Sequence, residues 1–84
     1  MLTPAQSRAA RGWLGWSQDD LSKRAQVSLS TVRDFEKGRR VPISNNLAAI
    51  RRAFEVEGIH LLEDTEGNAT GIAATATPVA SATA

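Results

Sequence analysis

Five polar side chains recur at outward positions of one short segment in the middle of the chain. If residues 29 to 37 form a helix, these positions are Ser30, Thr31, Arg33, Asp34 and Lys37. Each is a hydroxyl, a carboxylate or a cation that can hydrogen-bond a base edge or a phosphate oxygen. A helix with this surface fits a major groove, and we expect the first four side chains to contact bases.

The segment has the start signal, stop signal and buried face of a helix. Ser28 stands at an N-cap position, where its hydroxyl can accept from free amides of the first turn. Gly38 stands where a left-handed residue ends a helix. Val32 and Phe35 lie three apart and mark the buried face. The pattern predicts a helix from about Leu29 to Lys37.

A second short helix is predicted just before it, across a tight turn. Ser17 is its cap, and Asp19 and Asp20 lie in the first turn, where the helix dipole favours carboxylates. Leu21 and Ala25, four apart, mark its buried face. Two short amphipathic helices at this spacing indicate a helix-turn-helix.

The pattern resembles the helix-turn-helix of the Cro and phage-repressor type (XRE-like), over roughly the first two thirds of the chain. The resemblance implies an all-α, repressor-like compact bundle of four or five helices. It also implies sequence-specific binding to double-stranded DNA, with a homodimer on a pseudo-palindromic operator. The matching residues are Trp16-Ser17-Gln18, Leu21, Val27-Ser28, Ser30-Thr31-Val32, Phe35-Glu36-Lys37-Gly38 and Pro42.

The resemblance implies roles for further residues. Gln18 would bond a backbone phosphate and brace the second motif helix. Arg11 and Glu36 would form a partly buried ion pair that holds two helices in register. The alternative is that these are ordinary surface side chains. The residues expected to contact phosphates are Gln18, Ser28, Lys37, Arg39 and Arg40.

Two positions depart from the family pattern. Gln26 stands in the turn where members often have Gly, because a left-handed backbone suits Gly best. We expect either mild strain or a slightly different turn. Ser22 replaces a small residue, often Ala, and its hydroxyl can bond back to its own helix and so keep the two helices close.

The flanking segments predict two more helices. Thr3, Pro4 and Gln6 combine a capping box with proline in the first turn, which predicts a helix from Pro4 to about Leu14. Residues 39 to 46 form a basic, then polar, loop suited to a phosphate backbone, and its last residues, 44 to 46, can cap a helix. That helix has Leu47, Ile50 and Phe54 as its core stripe and ends at Gly58.

The C-terminal part of the chain contains segments of different composition. Residues 59 to 62 are either a short strand or a fifth helical turn, and glycines further on leave room for a hairpin that covers the bundle or mediates dimer contact. From Ala69 onward the chain is almost uncharged and poor in large apolar groups, so disorder is the default. We divide the chain into a helix-turn-helix domain (1–58), a strand or hairpin extension (59–75) and a disordered Ala/Thr-rich tail (76–84).

The charge is unevenly distributed. The net charge is only +1, which alone argues weakly against a nucleic-acid partner. All ten Lys and Arg residues precede residue 53, and without the three acids beyond the bundle the balance is +4. The alternative is a merely solvated basic face. The cations of the second half are Arg33, Lys37, Arg39, Arg40, Arg51 and Arg52.

Composition argues against other classes of protein. The chain has 84 residues, enough for one small domain, and no cysteine for a disulfide or thiolate metal site. It lacks an apolar run long enough for a signal peptide or a membrane span, so we expect a cytoplasmic protein. There is no tyrosine, no paired histidine and carboxylate, and no Gly-rich phosphate loop. We therefore expect no catalytic residue, no metal and no cofactor, and His60 should face solvent or a partner.

The two tryptophans bear on an alternative function. Trp16 is expected in the core, whereas Trp13 is either a half-buried core edge or a contact for a dimer or partner. Trp13, the tail and the low net charge favour a protein-interaction module of antitoxin or anti-activator type, which would use the same bundle to bind a protein. The outward face of the second motif helix favours a transcriptional regulator, which is our main hypothesis.

Overall fold

The computed structural model describes residues 1–75 as four helices followed by an antiparallel hairpin. The fold is mostly helical and contains the expected helix-turn-helix, formed by the second and third helices. The expected tail, 76–84, lies outside the described residues. The elements are α1 (Pro4–Leu14), α2 (Gln18–Ala25), α3 (Leu29–Glu36), α4 (Ser44–Glu55), β1 (Ile59–Glu63) and β2 (Ala69–Ala74).

Three of the four helices begin at the predicted hydroxyl caps. The side chains of Thr3, Ser17 and Ser28 each accept from the backbone amide three residues further on. In α1 and α2 the residue at that third position also bonds back to the cap, which completes a capping box. Local sequence signals therefore define the starts of the helices that carry the candidate site.

The fourth helix begins differently from the prediction. Ile43 occupies its N-cap position, and no side chain caps the helix. The prediction that residues 44 to 46 cap it is wrong, because the amides of Asn46 and Leu47 already bond the Ile43 carbonyl, both at 3.0 Å. The polar run therefore lies inside the first turn.

The turn of the helix-turn-helix keeps a left-handed residue although it has no glycine. Gln26 ends α2 with φ 58°, and it is the one non-glycine residue with positive φ among residues 1–75. Such a conformation costs an L-residue about 1 kcal/mol or more, so Gln26 bears strain. Ser22 bonds back to the Asp19 carbonyl at 2.8 Å, as its position predicted.

The core lies where the helices meet. Trp16 is partly buried beside it, stacked on Phe54 with the ring centres 5.8 Å apart. Trp13 is 51% exposed on α1. The buried apolar residues are Leu2, Ala10, Leu21, Ala25, Val32, Phe35, Ile50, Ala53, Phe54 and Ile59.

The hairpin resolves the two alternatives for residues 59 to 62 in favour of a strand. Ile59 is buried, and Leu61 and Ile72 pack against the core. The strands pair in antiparallel register, with Leu61 opposite Ile72 and a bulge after Leu62. His60 is exposed, as expected.

A buried side chain of α1 joins the hairpin to the bundle. The Gln6 amide nitrogen donates to the Leu62 carbonyl at 3.0 Å and to the Gly71 carbonyl at 2.9 Å. The expectation of disorder from Ala69 is therefore wrong as far as residue 75. Strand pairing, the packing of Ile72 and these two hydrogen bonds offset the ordering entropy that composition alone could not. Within residues 1–75 no helix is long and apolar enough to cross a membrane.

Candidate nucleic-acid interface

One face of α3 is directed away from the core. Because Val32 and Phe35 are buried, the positions opposite them on the helix face solvent. Ser30, Arg33 and Lys37 are exposed, and Thr31 and Asp34 are partly exposed. The face predicted from the sequence is thus the face that the packing leaves open.

A groove runs beside this face, between α3 and the loop that leads to α4. Its volume is about 220 Å³. Neither Arg33 nor Lys37 forms an ion pair with Asp34, so within residues 1–75 this carboxylate has no cationic partner. The groove is lined by Ser30, Thr31, Asp34, Arg40, Val41, Pro42, Ile43 and Asn46.

Three hydroxyls cluster where α3 begins. The Ser28 oxygen accepts from the Thr31 amide at 3.1 Å and lies 2.7 Å from the Thr31 hydroxyl and 3.1 Å from the Ser30 hydroxyl. The cap therefore couples the orientation of two outward hydroxyls to the backbone of the first turn. A change at Ser28 would disturb both the helix start and these side chains.

The other end of α3 is fixed by a buried carboxylate. Glu36 is 3% exposed and accepts from Arg11 through Nε at 2.9 Å and Nη2 at 2.7 Å. The Gln18 amide nitrogen donates to the same carboxylate at 3.1 Å, and the Ser7 hydroxyl also donates to it. Arg8 donates to the Glu36 main-chain carbonyl. Four side chains from α1 and α2 thus hold the last turn of α3.

The hydrogen bonds decide the ionisation of this carboxylate. Burial by itself raises the pKa of Glu36, but hydrogen bonds from Arg11, Ser7 and Gln18 outweigh burial, so the pKa lies below its ordinary value. The hydrogen bond to Glu36 likewise raises the pKa of Arg11. Both groups are therefore charged at neutral pH.

The cations around α3 differ from most of those elsewhere in the described chain. Lys23, Arg24 and Arg51 each pair with a carboxylate. Within residues 1–75, no ion pair involves any of the exposed cations on α3 and the loop after it. Their charge is therefore not neutralised by a neighbouring acid. These cations are Arg33, Lys37, Arg39 and Arg40.

Several residues at or near the site were not predicted. Ser7 precedes Arg11 by four positions, so helical spacing put both on one face of α1 and could have identified Ser7. Arg8 faces the end of α3, and no sequence signal indicated its carbonyl partner. Val41 and Ile43 form one wall of the groove, which depends on the path of the loop around the buried Pro42.

Comparison with protein families gives a match that covers the candidate interface. A family model described as helix-turn-helix matches residues 8–60, more than half of the 84-residue chain. No curated protein matches the chain. Within residues 1–75, no group of histidine and acidic side chains could hold a metal ion. The matched range contains α2, α3 and the groove.

Proposed function

The chain belongs to the helix-turn-helix family of Cro/C1 type, and on that premise we propose that it is a sequence-specific transcriptional regulator that binds double-stranded DNA as a symmetric dimer. The family is DNA-binding and non-enzymatic. One observation carries the proposal: the open face of α3 combines hydrogen-bonding side chains with cations that have no acidic partner within residues 1–75.

The outward side chains of α3 suit direct contact with bases. Arg33 can donate two hydrogen bonds to guanine, and Asp34 can accept from the cytosine amine. The Ser30 and Thr31 hydroxyls can donate or accept, so they suit several base edges. These four residues are the proposed base readers.

The groups on both sides of α3 suit the phosphate backbone. Lys37, Arg39 and Arg40 supply positive charge beyond its C-terminal end, and Ser28 and Gln18 supply polar groups near the starts of α3 and α2. Contacts of this kind contribute affinity and orientation but carry no sequence information. In this proposal they hold α3 in the major groove.

The size of the domain supports the proposed dimer. The described chain measures 38 × 32 × 19 Å. Half-sites of a pseudo-palindromic operator lie about 34 Å apart, one turn of the duplex. Two copies side by side along DNA therefore have dimensions that suit successive major grooves on one face, and each copy alone would contact only one half-site.

The proposal is tested by selecting duplexes from a random library and measuring their affinity by fluorescence anisotropy. We expect tight binding to the selected duplex, weak binding to a shuffled duplex, and two copies of protein per selected site. Arg33→Gln should reduce the preference for the selected duplex over the shuffled one, because one of the four proposed readers is lost. Arg52→Gln is the matched control, because Arg52 is an exposed cation of α4 that lies beside Arg24 and Val56 and not on the open face of α3.

One observation favours the alternative, a protein-interaction module. Trp13 of α1 is an aromatic residue that is 51% exposed. Equally weak binding to selected and shuffled duplexes would contradict the proposed function. In that case, loss of a co-purifying protein on Trp13→Ala would support the alternative.

A further inference from the structure

The start of α4 differs from the starts of the other three helices, which have side-chain caps. They begin at Thr3, Ser17 and Ser28, whose side chains cap the free amides, whereas Ile43 occupies the N-cap of α4 and forms no side-chain cap. Isoleucine is among the poorest residues at this position. Ile43 is also 69% exposed, so it does not contribute to the core instead. A residue that is locally unfavourable and unburied points to a role outside folding.

Ile43 lines the same groove as three of the four candidate base readers, Ser30, Thr31 and Asp34. Val41, also 69% exposed, lines the groove with it. Pro42 between them is buried, which fixes the loop and presents the two aliphatic side chains together. Thr31 and Asp34 line the opposite side. We call Val41 and Ile43 the aliphatic wall.

We propose that the aliphatic wall, chiefly Ile43, contacts the C5 methyl group of a thymine in each half-site while α3 reads the neighbouring bases. This inference rests on the proposed function. In the major groove the methyl group is unique to thymine among the four bases, and it is recognised through apolar contact. The wall would thus add specificity for thymine that the hydroxyl, carboxylate and guanidinium groups of α3 do not supply.

The charges around the wall favour DNA over a second copy of the chain. Arg39 and Arg40 directly precede Val41 and have no ion-pair partner within residues 1–75. A symmetric contact between two aliphatic walls would bring four guanidinium groups together, with only the two Asp34 carboxylates of the same grooves to oppose them. The same cations are attracted to phosphates beside a major groove. The groove also has a polar side, with Asp34 and Asn46, which suits base edges better than apolar protein.

The test uses the full chain and a duplex obtained by selection, in which each thymine is replaced in turn by uracil to remove only the methyl group. For the unchanged protein we expect binding to weaken about fourfold at one thymine of each half-site, the value of one buried methyl group. Ile43→Ser should weaken binding to the thymine duplex and should bind the thymine and uracil duplexes equally.

Ile43→Ser separates binding from folding. Its hydroxyl can cap α4, so thermal unfolding should occur at the same or a higher temperature while binding weakens. Val56→Ser is the matched control: Val56 is an aliphatic residue 72% exposed at the other end of α4. This control should keep the full response to methyl removal.

Three outcomes would overturn the inference. The unchanged protein could bind its selected duplex tightly yet respond to no uracil substitution, which leaves the proposed function intact. Ile43→Ser could keep the response of the unchanged protein. Finally, Ile43→Ser could convert a dimer into a monomer without DNA, in which case the wall is an interface between copies. Absence of any duplex preference would instead contradict the proposed function and the inference together.

Discussion

Glu36 in the last turn of α3 and Arg11 of α1 form an ion pair, with Nη2 of the arginine 2.7 Å from Oε1 of the carboxylate. The side chains are 1% and 18% exposed, respectively. Ser7 and Gln18 donate to the remaining acceptor sites, so the buried charge is both paired and hydrogen-bonded. One carboxylate therefore joins the last turn of α3, and with it the candidate interface, to α1 and α2.

Glu36→Gln should destabilise the fold strongly. The amide carries no negative charge, so the largely buried Arg11 guanidinium loses its ionic partner. This loss should lower the free energy of unfolding by about 3 kcal/mol. Urea unfolding, monitored by circular dichroism, measures the free energy of unfolding. Glu55→Gln is the control, because its pair with Arg51 is exposed and should contribute less than about 1 kcal/mol. Equal losses in the two variants would contradict a special role for Glu36.

Acid should weaken the fold through the same group. The hydrogen bonds that lower the pKa of Glu36 stabilise its ionised form in the folded state. The contribution is therefore complete above the ordinary pKa of 4.5 and is lost as pH falls through the lower, folded-state value. The difference in unfolding free energy between the unchanged protein and Glu36→Gln should shrink below about pH 4.5. A difference that stays constant down to pH 3 would contradict this assignment.

Gln26→Gly should stabilise the protein. Gln26 has φ 58°, which costs an L-residue about 1–2 kcal/mol. Glycine removes that strain but increases the entropy of the unfolded chain. We therefore expect the free energy of unfolding to rise by about 0.5 kcal/mol. Thermal and urea unfolding measure it. Gln26→Ala, which keeps the strain, should give no gain, and an equal gain from alanine would show that the turn is not strained.

Local signals predicted the helix-turn-helix because they lie within a few residues of one another. The hydroxyl caps at Thr3, Ser17 and Ser28 and the outward face of α3 follow from spacing and residue type. The start of α4 was mispredicted because three polar residues, 44 to 46, suggested a cap, whereas Ile43 already accepts the first helical bonds through its carbonyl.

Tertiary partners account for what the sequence did not predict. The strand from Ala69 to Ala74 has few large apolar residues, and its order depends on pairing with β1 and on Gln6, more than fifty residues away in the chain. The groove beside α3 depends likewise on how the loop around Pro42 folds back. Neither relationship has a periodic or motif-like signature.

Arg39 and Arg40 should contribute affinity without specificity. If each neutralises one phosphate, alanine at either position should reduce the slope of log affinity against log salt by about 1 and weaken binding to all duplexes alike. Anisotropy titrations over a range of salt concentrations measure the slope. The control is Arg24→Ala, because Arg24 pairs with Glu57 and lies over the Trp16 ring. A changed base preference in either arginine variant would instead indicate contact with a base.

Asp34→Ala should change the base preference at one operator position. Its carboxylate lines the groove and has no cationic partner within residues 1–75. Phosphates near the groove repel this charge. A hydrogen bond accepted from a cytosine amine would offset the repulsion. Removal of the charge should lower the preference for cytosine at that position and raise affinity for non-cognate duplexes.

Binding to all single-base variants of the selected operator measures this change, with Glu57→Ala as a control for the loss of one negative charge. An unchanged profile for Asp34→Ala would mean that Asp34 does not read a base. A profile changed at every position would mean that the variant has moved α3, because a single reader affects only the base pair that it contacts.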